Sequence, residues 1–241
     1  MTTVAILPVK RFDRAKQRLS SGLAGASRAV LAEAMLRDVL GALSRVRSLY
    51  EIVVVTGEPR AQALARAHEA LIVEDAEEAG QSAAAALGVA RAAEFGAECV
   101  LMVPGDCPAL DADEVQALIV RHGGAGDMAV TIVPDRHGTG TNALVLTPPN
   151  VLVPAFGEGS FARHLAAAKA TGAQVTVDEV GSLALDVDTP EDLAAFARLP
   201  SPTRARAVLA ENDMLDLSER AGAPTGGHWD DDRPNPGTGR G

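Results

Sequence analysis

The sequence has few cysteines, few aromatic residues and no long apolar segment. Only Cys99 and Cys107 occur among 241 residues, which supports neither a disulfide framework nor a zinc site, so both are expected to be reduced thiols. The apolar segment Val4–Val9 is far too short to span a membrane, and no basic segment precedes it as in a signal peptide. We therefore expect a cytoplasmic protein that does not associate with membranes.

An excess of positive charge is also lacking. The formal net charge of −10 argues against a general nucleic-acid binder, because phosphate backbones are held by clustered cations. The motifs G-x-G-x-x-G and G-x-x-x-x-G-K-[ST] do not occur, which excludes the dinucleotide fingerprint and the Walker A loop. Any bound phosphates would have to be held by lysines and loop amides.

Short apolar segments alternate with longer alanine-rich segments in the first half of the chain. With 47% hydrophobic and only 3% aromatic residues, the composition suits helices that pack closely on a sheet. The apolar segments predict strands at Val4–Leu7, Ile52–Thr56, Leu71–Val73 and Cys99–Val103, and the alanine-rich ones predict helices such as Ser27–Val46 and Ser82–Phe95. This alternation indicates a mostly parallel sheet in a three-layer α/β/α fold.

The second half of the chain is less regular. An inserted or antiparallel section is expected after Met102, with helices at Asp111–His122 and Ser160–Thr171 and strands near Met128–Val133 and Ala143–Thr147. A last helix is predicted from Thr189, the N-cap, to about Leu199, with Pro190 at its first position. We expect one domain over residues 1–211 and a disordered tail over 212–241, where Gly, Pro and Asp dominate.

A loop rich in cations follows the first predicted strand. Between residues 10 and 19 it carries five of them, Lys10, Arg11, Arg14, Lys16 and Arg18. Parallel sheets bind ligands at the carboxyl ends of their strands, where Lys or Arg would meet a polyphosphate. The alternative is a solvated surface turn.

Three aspartates stand in segments that could hold a metal ion. Asp106 follows the fourth predicted strand, among turn residues. Asp186 and Asp188 are two positions apart, so in extended chain both carboxylates would point to one side and could share a hard cation such as Mg²⁺. Helix capping is the alternative, which explains Asp188 well and Asp186 poorly. Cys107 is expected to pack rather than to act as a nucleophile.

Two glycine-rich segments could bind an anion. Residues 135–142 supply amides and hydroxyls, although a plain hairpin loop explains them equally well. Residues 156–160 lead into a helix at Ser160, whose N-terminus and hydroxyl form a natural phosphate site. His164 lies one turn later without an identified acid, and we expect it to be a surface or packing residue.

Together these segments resemble one enzyme family, the phosphoenolpyruvate or 2-phospho-L-lactate guanylyltransferases of deazaflavin coenzyme F-420 biosynthesis. The resemblance covers about residues 3–199 and rests on a combination of motifs, each of them unspecific alone: Leu7–Lys10 with Ala15–Leu19, Gly80–Ser82, Pro104–Pro108, Gly138–Asn142, Phe156–Ser160 and Asp186–Pro190.

The resemblance implies a glycosyltransferase-A-like nucleotidyltransferase fold, with GTP and a small phosphorylated acid as substrates and Mg²⁺ as cofactor. It implies that Lys10 and Lys16 hold the triphosphate and that Ser82 lies near the base and ribose. Lys16 and Asp106 would be catalytic. Asp106, Asp186 and Asp188 would hold the metal, and Thr141, Gly157 and Ser160 would bind the acceptor's phosphate and carboxylate.

The acceptor and the assembly are less constrained. The Ala- and Arg-rich, Lys-poor composition resembles that of proteins from high-GC bacteria, whose members of this family resemble phosphoenolpyruvate users, so we expect phosphoenolpyruvate rather than 2-phospho-L-lactate. A cytidylyltransferase of the same fold and a non-catalytic nucleotide sensor are the alternatives. No nucleic-acid or membrane partner is expected, and a homodimer is compatible with the sequence.

Overall fold

The computed structural model describes residues 1–20, 24–200 and 202–211. In these ranges seven strands are formed, namely β1 (Thr3–Pro8), β2 (Leu49–Val55), β3 (Leu71–Val73), β4 (Cys99–Met102), β5 (Ala129–Pro134), β6 (Thr141–Thr147) and β7 (Gln174–Val177). The helices are α1 (Gly25–Leu43), α2 (Pro59–Ala67), α3 (Gln81–Glu94), α4 (Ala112–Gly123), α5 (Ser160–Thr171), α6 (Pro190–Arg198) and α7 (Arg204–Glu211). The tail predicted over 212–241 lies outside the described residues.

The strands form one mixed sheet in the order β3-β2-β1-β4-β6-β5-β7. The pairs β1·β2, β1·β4, β2·β3 and β5·β7 are parallel, whereas β6 runs antiparallel to both β4 and β5. The expected antiparallel section after Met102 is therefore confirmed. It places the loop before β6 beside the carboxyl end of β4, because neighbouring strands that run in opposite directions begin and end at the same edge of the sheet.

Helices cover both faces of the sheet and give it three layers. Along β1, Ala5 and Leu7 belong to one core cluster, and Val4 and Ile6 belong to the other, as strand alternation requires. The first cluster includes buried residues of α1, α2, α4, α6 and α7, and the second includes residues of α3 and α5. The predicted α/β/α class is confirmed.

The alanine-rich helix α3 packs very closely on β1. A Cβ atom added to Gly88 would lie 2.3 Å from Ile6 Cγ2 and 3.2 Å from Val55 Cγ2. Only glycine fits this position without movement of the sheet side chains.

Most predicted elements are found with small changes at their ends, whereas α2, β7 and α7 were not predicted. Strand β7 is short and only partly buried, so its apolar pattern is weak. The predicted start of α6 is confirmed: Thr189 and Asp192 form a capping box, and Pro190 is in the first turn. No helix within the described ranges is both long and apolar enough to cross a bilayer.

Candidate active site

A cleft of about 670 Å³ opens at the carboxyl ends of β1 and β4. Its lining includes every residue that the resemblance singled out except Ser82, namely Lys10, Lys16, Asp106, Thr141, Gly157, Ser160, Asp186 and Asp188. The fold thus gathers segments that are up to 178 positions apart in the sequence into one cavity.

Lys16 lies at the centre of the acidic part of the cleft. Its side chain is only 4% exposed, and its ammonium donates hydrogen bonds to Asp106 Oδ2 and, at 2.7 Å, to Asp188 Oδ1. Burial alone would lower the pKa of Lys16, but the two carboxylates raise it above its ordinary value. The backbone of Lys16 is left-handed, with φ at 57°. Lys16 is therefore a charged group held in a fixed position.

The acidic residues come from two chain segments that are joined by a backbone hydrogen bond. The buried Val187 points into the core, and its amide donates to the Asp106 carbonyl oxygen at 3.0 Å. Asp186 and Asp188 flank Val187 and both line the cleft, as their spacing in extended chain predicts. Among the described helices, none is capped by the side chain of Asp106 or Asp188.

The capping positions are instead taken by other residues. Asp111 accepts from the first amides of α4, and Thr189 caps α6. The capping alternative for the three site aspartates is therefore wrong.

The pKa values of the two neighbouring aspartates are shifted in opposite directions. Burial, and next the charge of Asp106, raise the pKa of Asp186 to about 6, although its Oδ1 accepts from Asn142 Nδ2 at 3.1 Å. Burial would also raise the pKa of Asp188, but Lys16 lowers it below its ordinary value. Of these two carboxylates, Asp186 is therefore the one that is less compensated by positive charge. Asn142, which sequence reasoning had not assigned a role, holds it in place and also donates to the Leu183 carbonyl oxygen at 2.7 Å.

The acidic residues suit a divalent cation by their chemistry. Within the residues that the structure describes, Asp106 Oδ1 is buried without a hydrogen-bonding partner, and Asp106 and Asp188 both raise the pKa of Asp186 by repulsion. Hard cations take such oxygen ligands. Among residues 1–20, 24–200 and 202–211, however, no three His, Cys, Asp or Glu side chains are arranged as a metal-binding set. A cation bound here would share the carboxylates with Lys16.

The cation-rich loop is held in place by two glutamates from other parts of the chain. Phe12 is buried, and its amide donates to Glu58 Oε2 at 3.0 Å. Arg11 and Arg14 both donate to the carboxylate of Glu78, Arg14 at 2.7 Å. Glu78 lines the cleft and was missed by sequence reasoning, because nothing near it in the sequence relates it to the loop. The loop is anchored in the cleft, although the side chains of Arg11 and Arg14 are 44% and 70% exposed, so the binding of a polyphosphate here stays a prediction.

The glycine-rich loop before β6 is organised by one carboxylate. Asp135 accepts from the amides of Thr139 and Gly140, both at 2.9 Å. A Cβ atom on Gly140 would lie 2.6 Å from Asp135 Oδ2, so a larger residue there would displace this carboxylate. This arrangement presents Thr141, which is 7% exposed, at the wall of the cleft.

The second glycine-rich segment ends at the N-terminus of α5. Gly157 has φ at 109° and Gly159 has φ at 68°, which L side chains rarely adopt. Arg163 donates to the carbonyl oxygens of Ala155 at 3.1 Å and of Glu158 at 2.5 Å. We call residues 155–160 the acceptor loop, since Gly157 and Ser160 were expected to bind the acceptor.

Ser82, Cys107 and His164 lie outside the lining of the cleft. Ser82 is not among the residues that line the cleft, and its Oγ accepts from the Phe156 amide at 2.9 Å, so it supports the acceptor loop. Its neighbours Gly80 and Gln81 do line the cleft. Cys107 is buried as expected, and burial raises the pKa of its thiol. His164 is 0% exposed, so the surface alternative for it is wrong.

Comparisons with known proteins show that the sequence is similar to those of guanylyltransferases. A family described as "Guanylyl transferase CofC like" matches residues 3–212. The chain is 49% identical over 208 residues to a phosphoenolpyruvate guanylyltransferase of Conexibacter woesei, covering 86% of this chain and 93% of that protein. It is 38% identical over 212 residues to a 3-phospho-D-glycerate guanylyltransferase of Phenylobacterium zucineum, covering 86% and 95%.

A solved structure supports the fold. The crystal structure of a candidate nucleotide-diphospho-sugar transferase from Desulfovibrio desulfuricans G20 is similar to this one, with a TM-score of 0.72, 17% identity and coverage of 91% of this chain and 98% of that chain. At this identity the likeness concerns the nucleotidyltransferase fold alone. The matched length, the identity to relatives and the gathering of the motifs in one cleft together show that this chain belongs to the CofC-like guanylyl transferase family.

Proposed function

We propose that the protein transfers GMP from GTP to phosphoenolpyruvate and releases diphosphate. The observation that carries the proposal is that residues of the cation-rich loop, the three aspartates and residues of the two glycine-rich loops line one cleft. The relative from Conexibacter woesei, named for this activity, supports the choice of acceptor. By resemblance, the reaction would serve deazaflavin coenzyme F-420 biosynthesis in the cytoplasm.

In this reaction an oxygen of the acceptor phosphate attacks the α-phosphorus of GTP, and the bond to the β-phosphate oxygen breaks. The acceptor phosphate is already an anion at neutral pH and needs little help from a general base. The main barrier is the approach of two anions, so catalysis consists of positioning and charge neutralisation. We propose that Lys16, charged and fixed in the cleft, stabilises negative charge on the α-phosphate and the departing diphosphate.

The substrates would occupy opposite parts of the cleft. Lys10 is exposed at the start of the cation-rich loop and could contact the triphosphate together with Lys16. The backbone amide of Gly157 and the hydroxyls of Ser160 and Thr141 would offer donors to the acceptor's phosphate and carboxylate. We propose that Ser82 contributes through the acceptor loop, rather than by direct contact with the nucleoside.

We also propose that Asp106, Asp186 and Asp188 hold Mg²⁺. The buried Oδ1 of Asp106 and the undercompensated carboxylate of Asp186 are the features that support this assignment. When bound, the ion would supply electrostatic stabilisation to phosphate oxygens. Lys16 would then share Asp106 and Asp188 with it.

The test is purified protein with GTP and Mg²⁺, offered phosphoenolpyruvate, 2-phospho-L-lactate and 3-phospho-D-glycerate in separate assays while diphosphate release is followed. The highest kcat/KM is expected for phosphoenolpyruvate, with some activity on the others, because pocket shape alone discriminates by about 1–3 kcal/mol. A higher kcat/KM for another acceptor would change the assigned substrate. Absence of turnover with all three would refute the proposed activity.

The two alternatives are tested in the same assay. A cytidylyltransferase would release diphosphate from CTP in preference to GTP, which competition between the two nucleotides measures directly. A non-catalytic sensor would bind nucleotide without any release of diphosphate. The three aspartates beside Lys16 argue against the sensor, since carboxylates repel phosphates and a nucleotide-binding protein without a metal ion has no need for them in its cleft.

A further inference from the structure

His164 is a buried imidazole with a hydrogen bond at each nitrogen. It lies in the second turn of α5 and is 0% exposed. Its Nε2 lies 2.8 Å from the amide nitrogen of Ala155, and its Nδ1 lies 3.0 Å from Thr141 Oγ1. The Phe156 ring packs against it edge-on, with ring centroids 5.1 Å apart. The ring therefore joins the acceptor loop to the first residue of β6.

The partners of His164 determine where its proton is. The Ala155 amide can only donate, so Nε2 has to be the unprotonated acceptor. A neutral imidazole then carries its proton on Nδ1, and Nδ1 donates to Thr141 Oγ1. Burial lowers the pKa of His164 to about 4, which agrees with a neutral ring at physiological pH.

The tautomer of His164 determines the direction of the Thr141 hydroxyl. Because Thr141 Oγ1 accepts from His164, its own hydrogen has to be donated to something else. In the part of the chain that the structure describes, Thr141 Oγ1 has no second hydrogen-bonding partner, and Thr141 lines the cleft. Carboxylate and phosphate oxygens can only accept hydrogen bonds, so an anion is the ligand that suits this hydroxyl.

We propose that His164 is a positioning residue that makes the Thr141 hydroxyl a dedicated donor to an anionic oxygen of the acceptor. The inference rests on the proposed function for the identity of the acceptor. It adds a residue outside the cleft lining that sets the donor pattern of the acceptor site, and it adds that the ligand group at Thr141 is a carboxylate or phosphate oxygen rather than a hydroxyl donor.

The first test measures the tautomer of His164 and does not require enzyme turnover. Protein labelled with ¹⁵N-histidine is studied by two-bond ¹H–¹⁵N correlation at neutral pH, and the His164 signals are identified by their loss in His164→Gln. We expect the Nδ1-protonated tautomer. An Nε2-protonated or fully charged His164 would overturn the inference, whatever the enzyme catalyses.

The second test uses two replacements that each keep one half of the imidazole's contacts. In His164→Gln the amide oxygen can reach towards Ala155, but the donor to Thr141 is lost. In His164→Asn the shorter amide can still donate to Thr141. We expect His164→Gln to raise the acceptor KM by about tenfold or more, with the GTP KM changed less than about twofold, and His164→Asn to recover most of the loss.

A double-mutant cycle shows whether His164 acts through the hydroxyl. In Thr141→Val the hydroxyl is absent, so adding His164→Gln should raise the acceptor KM no further. Additive effects, or equal changes in the KM values of acceptor and GTP, would overturn the inference. The Kd of phosphoenolpyruvate is measured alongside by calorimetry, so that a wild-type protein without turnover refutes the proposed function separately from the positioning role.

The matched control is His122→Gln. His122 is 2% exposed and lies within 2.8 Å and 2.9 Å of the hydroxyl oxygens of Thr131 and Thr147, neither of which lines the cleft. This replacement should lower Tm to a similar extent as His164→Gln and leave the acceptor KM unchanged. An equal rise of the acceptor KM in His122→Gln would show that the effect is a general loss of packing, and would overturn the positioning role.

Discussion

Lys16 and Asp188 are 172 positions apart in the sequence, and their side chains form a 2.7 Å hydrogen bond inside the cleft. The contact joins the cation-rich loop after β1 to the segment before α6, so the nucleotide and metal parts of the proposed site share one ion pair. Lys16 is nearly buried, whereas 45% of the Asp188 side chain is exposed. Without the two carboxylates the buried Lys16 ammonium would lack a neutralising partner, whereas water can solvate the exposed part of Asp188.

Asp186→Asn is expected to separate activity from stability. The replacement removes a carboxylate that burial and the charge of Asp106 already disfavour, so Tm should be unchanged or slightly raised. If Asp186 holds Mg²⁺, kcat should fall by about 100-fold or more and the Mg²⁺ dependence should shift to higher concentrations. Thermal melts without metal and Mg²⁺ titrations of kcat measure the two effects. An unchanged Mg²⁺ dependence would contradict the metal assignment.

Asp188→Asn should behave differently from Asp186→Asn. It removes one of the two carboxylates that neutralise the buried Lys16, so the unfolding free energy should fall by about 1–2 kcal/mol, a modest loss because Asp188 is partly exposed. Chemical denaturation at neutral pH gives this value. Equal stability of the two variants would show that Lys16 does not need Asp188 as a partner.

Lys16→Ala is expected to lower kcat strongly. Lys16→Arg should restore only part of the rate, because a planar guanidinium does not reproduce a compact ammonium between two carboxylates. Steady-state kinetics with saturating GTP and acceptor provide the measurement. Lys169→Ala is the control, since Lys169 is exposed near the end of α5 and does not line the cleft. Wild-type rates in Lys16→Ala would assign catalysis to another cation.

His122 should make stability depend on pH below neutrality. Burial lowers its pKa to about 4, whereas an unfolded histidine has a pKa near its ordinary value of 6.5. Between these values the unfolded chain binds a proton that the folded protein does not, so stability is lost as the pH falls from about 6.5 to 4. The loss attributable to His122 is at most about 3 kcal/mol.

The pH effect is isolated by comparing denaturation of the wild type and His122→Gln at several pH values. The variant should be less stable at pH 7, and its unfolding free energy should fall less steeply between pH 6.5 and 4. Parallel pH profiles for the two proteins would mean that His122 titrates alike in the folded and unfolded states.

Gly88→Ala should destabilise the protein without changing its chemistry. The new methyl group would lie 2.3 Å from Ile6 Cγ2, so helix α3 or the sheet has to move, at a cost of about 1–3 kcal/mol. Ala93→Gly would not serve as a control, because it adds flexibility to the same helix. The better control is Gly96→Asn, at a left-handed position with nothing near the added Cβ, which should be tolerated. Equal melting temperatures for Gly88→Ala and the wild type would show that the close contact can relax freely.

The sequence by itself determined the layered α/β class and the segments that carry chemistry. Alternation of apolar and alanine-rich segments is a local property, and so are the proline and threonine that start α6. The pair Asp186 and Asp188 could be predicted to face one side from its spacing alone. Elements without a strong local pattern, such as the partly buried β7, could not be predicted in this way.

Only the tertiary structure decided which partners these segments have. The carboxylate of Glu78 that holds Arg11 and Arg14, and the Ser82 hydroxyl that holds the acceptor loop, are contacts across more than 60 positions, which no local spacing encodes. The state of His164 was decided in the same way, because a backbone amide on one side of the ring and a hydroxyl on the other determine which nitrogen carries the proton. Such pairings depend on strand order and helix packing, and these are properties of the whole folded chain.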